Sequence, residues 1–326
     1  MSVDNERDGS APARAHGPDR ETGPRDGRRP VTPARALTHT AQGLLMGAAD
    51  IIPGVSGGTI ALILGIYERL VDTIHRVAAG IVAAIRGDRS AAREHWGRAE
   101  FALVLPLGLG IVLALGLGSV LLPPLIETYP VITSAVFFGL IAGALPIPWR
   151  RRSRRRGVHH ALALAGALTA FLLAGFAPST IAEPALPLVF AAAAVAICAM
   201  ILPGVSGAYL LLIMGLYEVT LHALRDLDLA YIAVFAAGAA VGLAVFSKLL
   251  SWLLDRRHDA TMAMLVGLMA GSLRRLWPWQ TDAGMLLAPP SGGALALALG
   301  CALAGVVAVT LLTMVGERNL AAERRD

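Results

Sequence analysis

The sequence predicts an all-α integral membrane protein built as an inverted repeat, each half a re-entrant helical hairpin followed by three transmembrane helices. Three observations carry that expectation. The chain of 326 residues is 56% hydrophobic and 16% charged, with a mean hydropathy of +0.63, which is too apolar for a domain surrounded by water. Apolar blocks recur at about 101–122, 131–149, 158–177, 229–252, 260–277 and 292–315, each near the roughly 20 residues that a spanning helix needs. One unusual segment also occurs twice, as "IIPGVSGGTIALILGIYERL" at 51–70 and "ILPGVSGAYLLLIMGLYEVTL" at 201–221. Aligned at an offset of 150, they share ten of the seventeen positions from Ile52 to Glu68, which marks a duplication.

Taken in order, residues 1–35 mix Pro, Gly, Arg and acids without an apolar run and read as a disordered cytoplasmic arm. No apolar signal segment precedes Leu44. The first repeat then runs over 36–177, with its hairpin at 36–75. Pro53 and Gly54, Gly57 and Gly58 interrupt that hairpin, because proline removes a backbone donor and glycine loosens a helix. If the segment dips into the membrane and returns, the loop carrying Arg76, Arg86, Arg89, Arg93 and Arg98 is cytoplasmic, as the positive-inside rule requires. The next span leads to "PPLIETYP" at 123–130, which has no basic residue and reads as external. The following one returns to "RRRSRRR" at 150–156, and the third exits to "APSTIAEP".

The second repeat occupies 178–316, with its hairpin at 186–222 and its break at Pro203. Entered from outside, it leaves the loop around Arg225, Asp226 and Asp228 external, its arginine offset by two acids, places "DRRHD" at 255–259 inside, and puts the tail at 317–326 inside as well. Only Arg274 and Arg275 fall on the outer side against the charge rule. Treating both broken segments as full spans reverses the arginine-rich loop and "PPLIETYP", so the re-entrant scheme fits better. A second match supports the division: "GLIAGALPIPW" from Gly139 resembles "GLMAGSLRRLWPW" from Gly267 at an offset of 128. Three spans per half turn the second copy upside down, an arrangement that transporters use with broken helices meeting near the midplane.

The stretch "GLLMGAADIIPGVSGGTIALILGIYERL" with its second "ILPGVSG" resembles the polyprenyl phosphate transporter family, over nearly the whole chain from Gly43 to Gly316. That resemblance implies a carrier of undecaprenyl phosphate or a related polyprenyl phosphate, moved from the outer to the inner leaflet of the bacterial cytoplasmic membrane for reuse in cell-wall synthesis. It implies no cofactor, no metal and no nucleic-acid partner. The copies depart from each other at Ala208 and Tyr209, which stand where the first has Gly58 and Thr59, and at Met200, which stands where it has Asp50. Identical roles for the two hairpins are therefore not expected.

The residue chemistry suits a phosphate head on an apolar tail. Backbone freed by the two prolines leaves N–H groups of Val55 to Gly58, and of Val205 to Ala208, at the positive end of the following half-helix, where an anion binds. The candidate phosphate ligands are Gly54, Val55, Ser56, Gly57, Gly58 and Thr59 in the first copy. In the second they are Gly204, Val205, Ser206, Gly207 and Tyr209, joined by Arg274 and Arg275, which would attract the head from outside. The blander reading is that the Pro-Gly breaks only let helices cross closely. Asp50, beside the first break, is the coupling candidate for a proton or sodium ion, or else it caps loose amides. Glu68 and Glu218 follow Ser56 and Ser206 by twelve residues, about 18 Å along a helix, which places them as gates or as interfacial residues. Lys248 snorkels from the inner end of its span.

Two other function classes fit the residues less well. A lipid phosphatase needs a paired nucleophile and general acid, and the histidines, including His75, His95, His159, His160, His222 and His258, sit in loops or at span ends without such a motif. Cys198 and Cys301 suggest neither a disulfide nor a metal centre. An ion-coupled carrier or channel for small anions is the stronger rival, because such tips would bind chloride or phosphate as readily.

Overall fold

A computed structural model of the chain describes residues 32–51, 55–152, 157–281, 284–290 and 292–323. Most of the expected arm, Pro53 and Gly54 of the first break, and much of the "RRRSRRR" cluster lie outside these residues. The architecture is all-helical, and the β geometry among the described residues is a single bridge between Gln280 and Leu286.

Four helices are long and apolar enough to cross a membrane: α5 (Phe101–Thr128), α6 (Pro130–Ala144) continued by α7 (Pro146–Arg150), α12 (Leu229–Arg256) and α14 (Gly293–Glu323). A fifth is reached if the bent pair in the second hairpin counts as one span. The sequence suggested six, and two of those blocks fall short. The block at 158–177 is α8 (Gly157–Leu173), with 17 residues, and the block at 260–277 is α13 (His258–Ser272), with 15. At 1.5 Å per residue, 15 residues cover only about 22 Å of a hydrocarbon layer about 30 Å thick. Hydropathy overran both helices because their last apolar residues, Gly175 to Phe176 and Leu273 to Trp277, fold into successive tight turns instead. Large apolar side chains stay exposed along α5, α12 and α14, among them Leu105, Val112, Val245, Leu299 and Leu311, as lipid-facing surfaces require.

The remaining elements are α1 (Pro33–Ile51), α2 (Gly57–Ile63), α3 (Tyr67–Ile85), α4 (Arg89–Gly97), α9 (Leu186–Ile201), α10 (Gly207–Ile213) and α11 (Tyr217–Arg225). The breaks within the two hairpins are built alike. Gly65 and Gly215 both adopt φ of +76° after a seven-residue helix, a left-handed conformation open to glycine without steric cost. The next N–H reaches back five residues, Ile66 to Ala61 (3.0 Å) and Leu216 to Leu211 (2.9 Å), which closes a Schellman cap. The chain then turns sharply, by 105° between α10 and α11. Beyond its hairpin α3 runs on to Ile85, ten residues past the expected limit, and turns at Gly87 into α4. Asp88 caps α4, and hydrogen bonds from the Ala91 N–H and the Ser90 hydroxyl hold its carboxyl below the usual carboxylate range.

The helix pairs are duplicated. α1 packs on α5 as α9 packs on α12, while α6 packs on α14 as α8 packs on α13. The glycines that permit these approaches correspond in pairs. Gly110 lies against the Thr40 carbonyl and Gly238 against that of Phe190, while Gly139 abuts the Ala302 carbonyl and Gly267 that of Ala163. Gly305 meets the Val136 carbonyl, and Gly166 that of Met264. These contacts relate α1 to α9 by 150 residues, α5 and α6 to α12 and α13 by 128, and α8 to α14 by 139. Small residues that let backbones touch are what hold helices together where lipid removes the hydrophobic drive. At the centre α2 is wholly buried, its Ala61, Leu62 and Ile63 in one core with Leu107, Ile141, Met262 and Met269.

Candidate functional site

The two hairpin tips meet at that core, and they are not equivalent. In the first, Ser56 caps α2 by accepting the Gly58 N–H (3.2 Å), and its hydroxyl lies 3.3 Å from the Leu202 carbonyl oxygen of the other hairpin. The Gly57 N–H donates to Asp50 Oδ1 at 2.7 Å, so a carboxylate of the chain itself occupies the place expected for a bound anion. A side chain at Gly57 would run into the same carboxylate. Thr59 Oγ1 accepts the Gly204 N–H at 2.9 Å, tying one tip to the other. Val55, Ser56, Gly57, Gly58 and Thr59 are all buried. The N–H groups of Gly57 and Gly58 are thus both paired within the chain.

The second tip is open. Gly204 takes φ of +84° with its α-carbon pressed against the Met269 backbone, and the Val205 N–H bonds back to Leu202 (3.3 Å). Ser206 caps α10 by accepting the Tyr209 N–H (3.3 Å). Met200 lies over Gly207 as Asp50 lies over Gly57, so an apolar side chain replaces the acid. Without that acceptor, the N–H groups of Ser206 and Gly207 make no hydrogen bond to any described residue.

Beside this tip lies a small cleft that is partly open to its surroundings. Gly204, Val205, Ser206, Tyr209 and Leu210 form one wall. Ser272 and Arg275 form the second, and Ala170 and Leu173 of α8, with Ala174 just beyond it, the third. The Arg275 guanidinium carbon stands 5.0 Å from the centre of the Tyr209 ring, a cation–π distance. It makes no hydrogen bond or ion pair to a described residue, so its planar fork of donors is available to a ligand. Tyr209 is fixed for this contact by its hydroxyl, which donates to the Phe176 carbonyl at 2.8 Å.

The other proposed ligands and gates lie elsewhere. Arg274 turns away from the cleft, donating to the carbonyls of Phe171 (3.1 Å) and Gly284 (3.4 Å) and covering the Phe171 ring. It caps the C-terminus of α8 and fastens the following loop. Glu68 is exposed and 3.2 Å from His258 Nε2. Glu218 is exposed on α11, away from the cleft lining. Sequence reasoning missed Ser272 and the α8 wall. The match between Gly139 and Gly267 could have flagged Ser272, but the alanines and leucine of α8 carry no motif.

The chain was compared with known proteins. The sequence profile of a family described as "VCA0040-like: Undecaprenyl phosphate translocase-like" matches residues 46–291. A protein of Vibrio cholerae serotype O1 named polyprenyl-phosphate transporter is 37% identical over 244 residues, covering 75% of this chain and 78% of that protein. A protein of Staphylococcus aureus with the same name is 29% identical over 255 residues, covering 73% and 84%. No solved structure matches. Both relatives are named as transporters rather than as enzymes. With a profile match across most of its length and a relative above one-third identity, the chain belongs to the undecaprenyl phosphate translocase-like family.

Proposed function

We propose that this protein carries undecaprenyl phosphate, or a related polyprenyl phosphate, from the outer to the inner leaflet of a bacterial cytoplasmic membrane. The observation that carries the reading is Arg275, an uncommitted guanidinium set beside Ser206 at the second tip. A bidentate arginine with nearby hydroxyl and amide donors matches a phosphate monoester. The apolar α8 wall beside it suits the first carbons of a prenyl chain better than it suits chloride or free phosphate. The names of the two relatives point to the same substrate class.

The accompanying topology is the inverted repeat, with both hairpins re-entrant and both termini cytoplasmic. The Glu68–His258 contact supports it, because that scheme puts both residues at the inner face. Single cysteines at His258 and at Glu127, introduced after Cys198 and Cys301 are replaced, should respond oppositely to an impermeant thiol reagent in intact cells: shielded at His258, labelled at Glu127. Labelling at His258 counts against the scheme. Asp50, Glu68 and Glu218 are kept as coupling or gating residues for a proton or sodium ion, with Asp50 the foremost because it sits at the junction of the tips.

The function is tested with purified protein in vesicles carrying labelled undecaprenyl phosphate. Leaflet exchange should accelerate at least tenfold over empty vesicles. Chloride or phosphate flux without lipid exchange would establish the small-anion alternative instead.

A further inference from the structure

The acids of α3 and α4 are all engaged. Asp72 pairs with Arg76 (2.7 Å), Glu94 with Arg98 (2.9 Å) and Glu68 with His258 (3.2 Å), while Asp88 caps α4 and Glu100 just beyond it takes Arg69. Arg86, Arg89 and Arg93 are left over: their side chains are exposed and make no hydrogen bond or ion pair to a described residue. Arg89, Arg93 and Trp96 share one face of α4, at i, i+4 and i+7. The Trp96 indole seats that helix on α3, lying over Gly80 and donating to the Val77 carbonyl (3.4 Å).

An apolar stripe runs along α3 through Val71, Ile74, Ala78, Ile81, Val82 and Ile85. The protein covers its start, where Val71 is 1% exposed, but not its end, where Ile85 is 81% exposed and Ile81 and Val82 are exposed as well. The Arg69–Glu100 pair fixes the start of α3 beside the head of the spanning helix α5, hence at a membrane face. Ile85 lies about 27 Å further along. A helix standing away from the bilayer would leave that row of branched side chains in water, whereas one lying along the interface sinks them among acyl chains with the arginines at headgroup level. Lys248, the one lysine of the chain, marks the same level on α12, on a stripe with the exposed Val245, Leu249 and Trp252. Its charge reaches His75 of α3, as do those of Asp72, His95 and Arg76.

We propose that the far end of the α3–α4 pair is an interfacial site for anionic phospholipid, with Ile81, Val82 and Ile85 in the acyl region and Arg86, Arg89 and Arg93 on the phosphate-bearing heads. Each basic residue at an anionic surface adds attraction, and three uncompensated ones on one short helix pair concentrate it. The site anchors the first hairpin to its leaflet, since only Leu64 to Ile66 join α2 to α3. That leaflet is the inner one in the topology proposed above. The site itself is independent of what the Arg275 cleft carries.

For the test, Ile85→Cys is labelled with bimane in Cys198→Ser, Cys301→Ser protein, which is placed in phosphatidylcholine vesicles of equal composition in both leaflets, so that orientation does not matter. Phosphatidylcholine or phosphatidylglycerol with brominated acyl chains is titrated in. Both should quench the bimane, phosphatidylglycerol at a mole fraction about five times lower. Arg86→Gln, Arg89→Gln and Arg93→Gln together should erase that preference with the thermal unfolding curve preserved. Should the triple variant unfold, Arg86→Gln and Arg93→Gln singly should each reduce the preference about twofold. A bimane that neither lipid quenches overturns the proposal and leaves this face to a protein partner. Equal quenching by the two lipids, or a preference that survives loss of the arginines, overturns it too. No polyprenyl phosphate is present, so the transport reading stands or falls separately.

Discussion

Arg275→Ala should nearly abolish binding of undecaprenyl phosphate while leaving the fold intact. The guanidinium makes no hydrogen bond to a described residue, and among these its contact is the cation–π approach at 5.0 Å from Tyr209. Hydrogen bonds to a charged partner are each worth about 1.5–3 kcal/mol, so losing the interaction should weaken binding about 10- to 150-fold. Arg275→Lys keeps the charge but loses the fork, and should fall between the two. Arg274→Ala supplies the contrast, because its donors cap α8 and hold the loop to Gly284. It should lower the unfolding temperature and leave the affinity of the folded fraction close to wild type. Equilibrium binding and thermal unfolding, measured on all three variants in one detergent, separate these outcomes. Arg275→Ala binding as tightly as wild type would remove the cleft from the substrate path.

The second large effect is on stability. Gly204→Ala places a methyl group where the backbone conformation, φ +84°, disfavours it and where it would lie 2.7 Å from the Met269 amide nitrogen. Left-handed strain costs about 1–3 kcal/mol, and overpacking against backbone adds about as much. The Gly204 N–H to Thr59 bond is set at risk by the same shift. A loss of about 2–5 kcal/mol is expected, read as a large drop in the unfolding midpoint. Gly292→Ala is the control, since Gly292 also has positive φ, +93°, but no atom lies within 4 Å of a side chain there. If the two variants lose the same stability, the contact with Met269 is not what constrains Gly204.

Much of this was legible in the sequence, because lipid imposes a coarse and regular code. The doubled motif located the paired short helices α2 and α10, and the Pro-Gly signal marked where α1 and α9 stop, at Ile51 and Ile201. Arg275 stood out because it broke the charge rule. What the sequence did not reveal were the partnerships of individual donors. Nothing in "PGVSGG" says that Asp50 will fill the first tip, since that depends on α1 ending where its carboxylate reaches Gly57. Arg274 and Arg275 are adjacent and chemically identical, and only the path of the chain after α13 sends one to α8 and the other to the cleft. The short α8 and α13 misled hydropathy for a related reason: apolar residues continue past each helix, Phe176 after α8 and Leu273, Leu276 and Trp277 after α13, and fold into turns that depend on local hydrogen bonds rather than on composition.

The crossed pairing of α6 with α14 and α8 with α13 also governs biosynthesis. A chain emerging from the ribosome delivers α6 and α8 to the bilayer long before their partners exist, and their small-residue faces wait against lipid or a helper protein. The first half is left without its closing contacts until the last helix is threaded, so truncations near the C-terminus forfeit an early portion of the molecule rather than a late one. Conversely, two separately translated halves carry complementary unfilled faces, and co-expression has a physical basis for reassembling the whole.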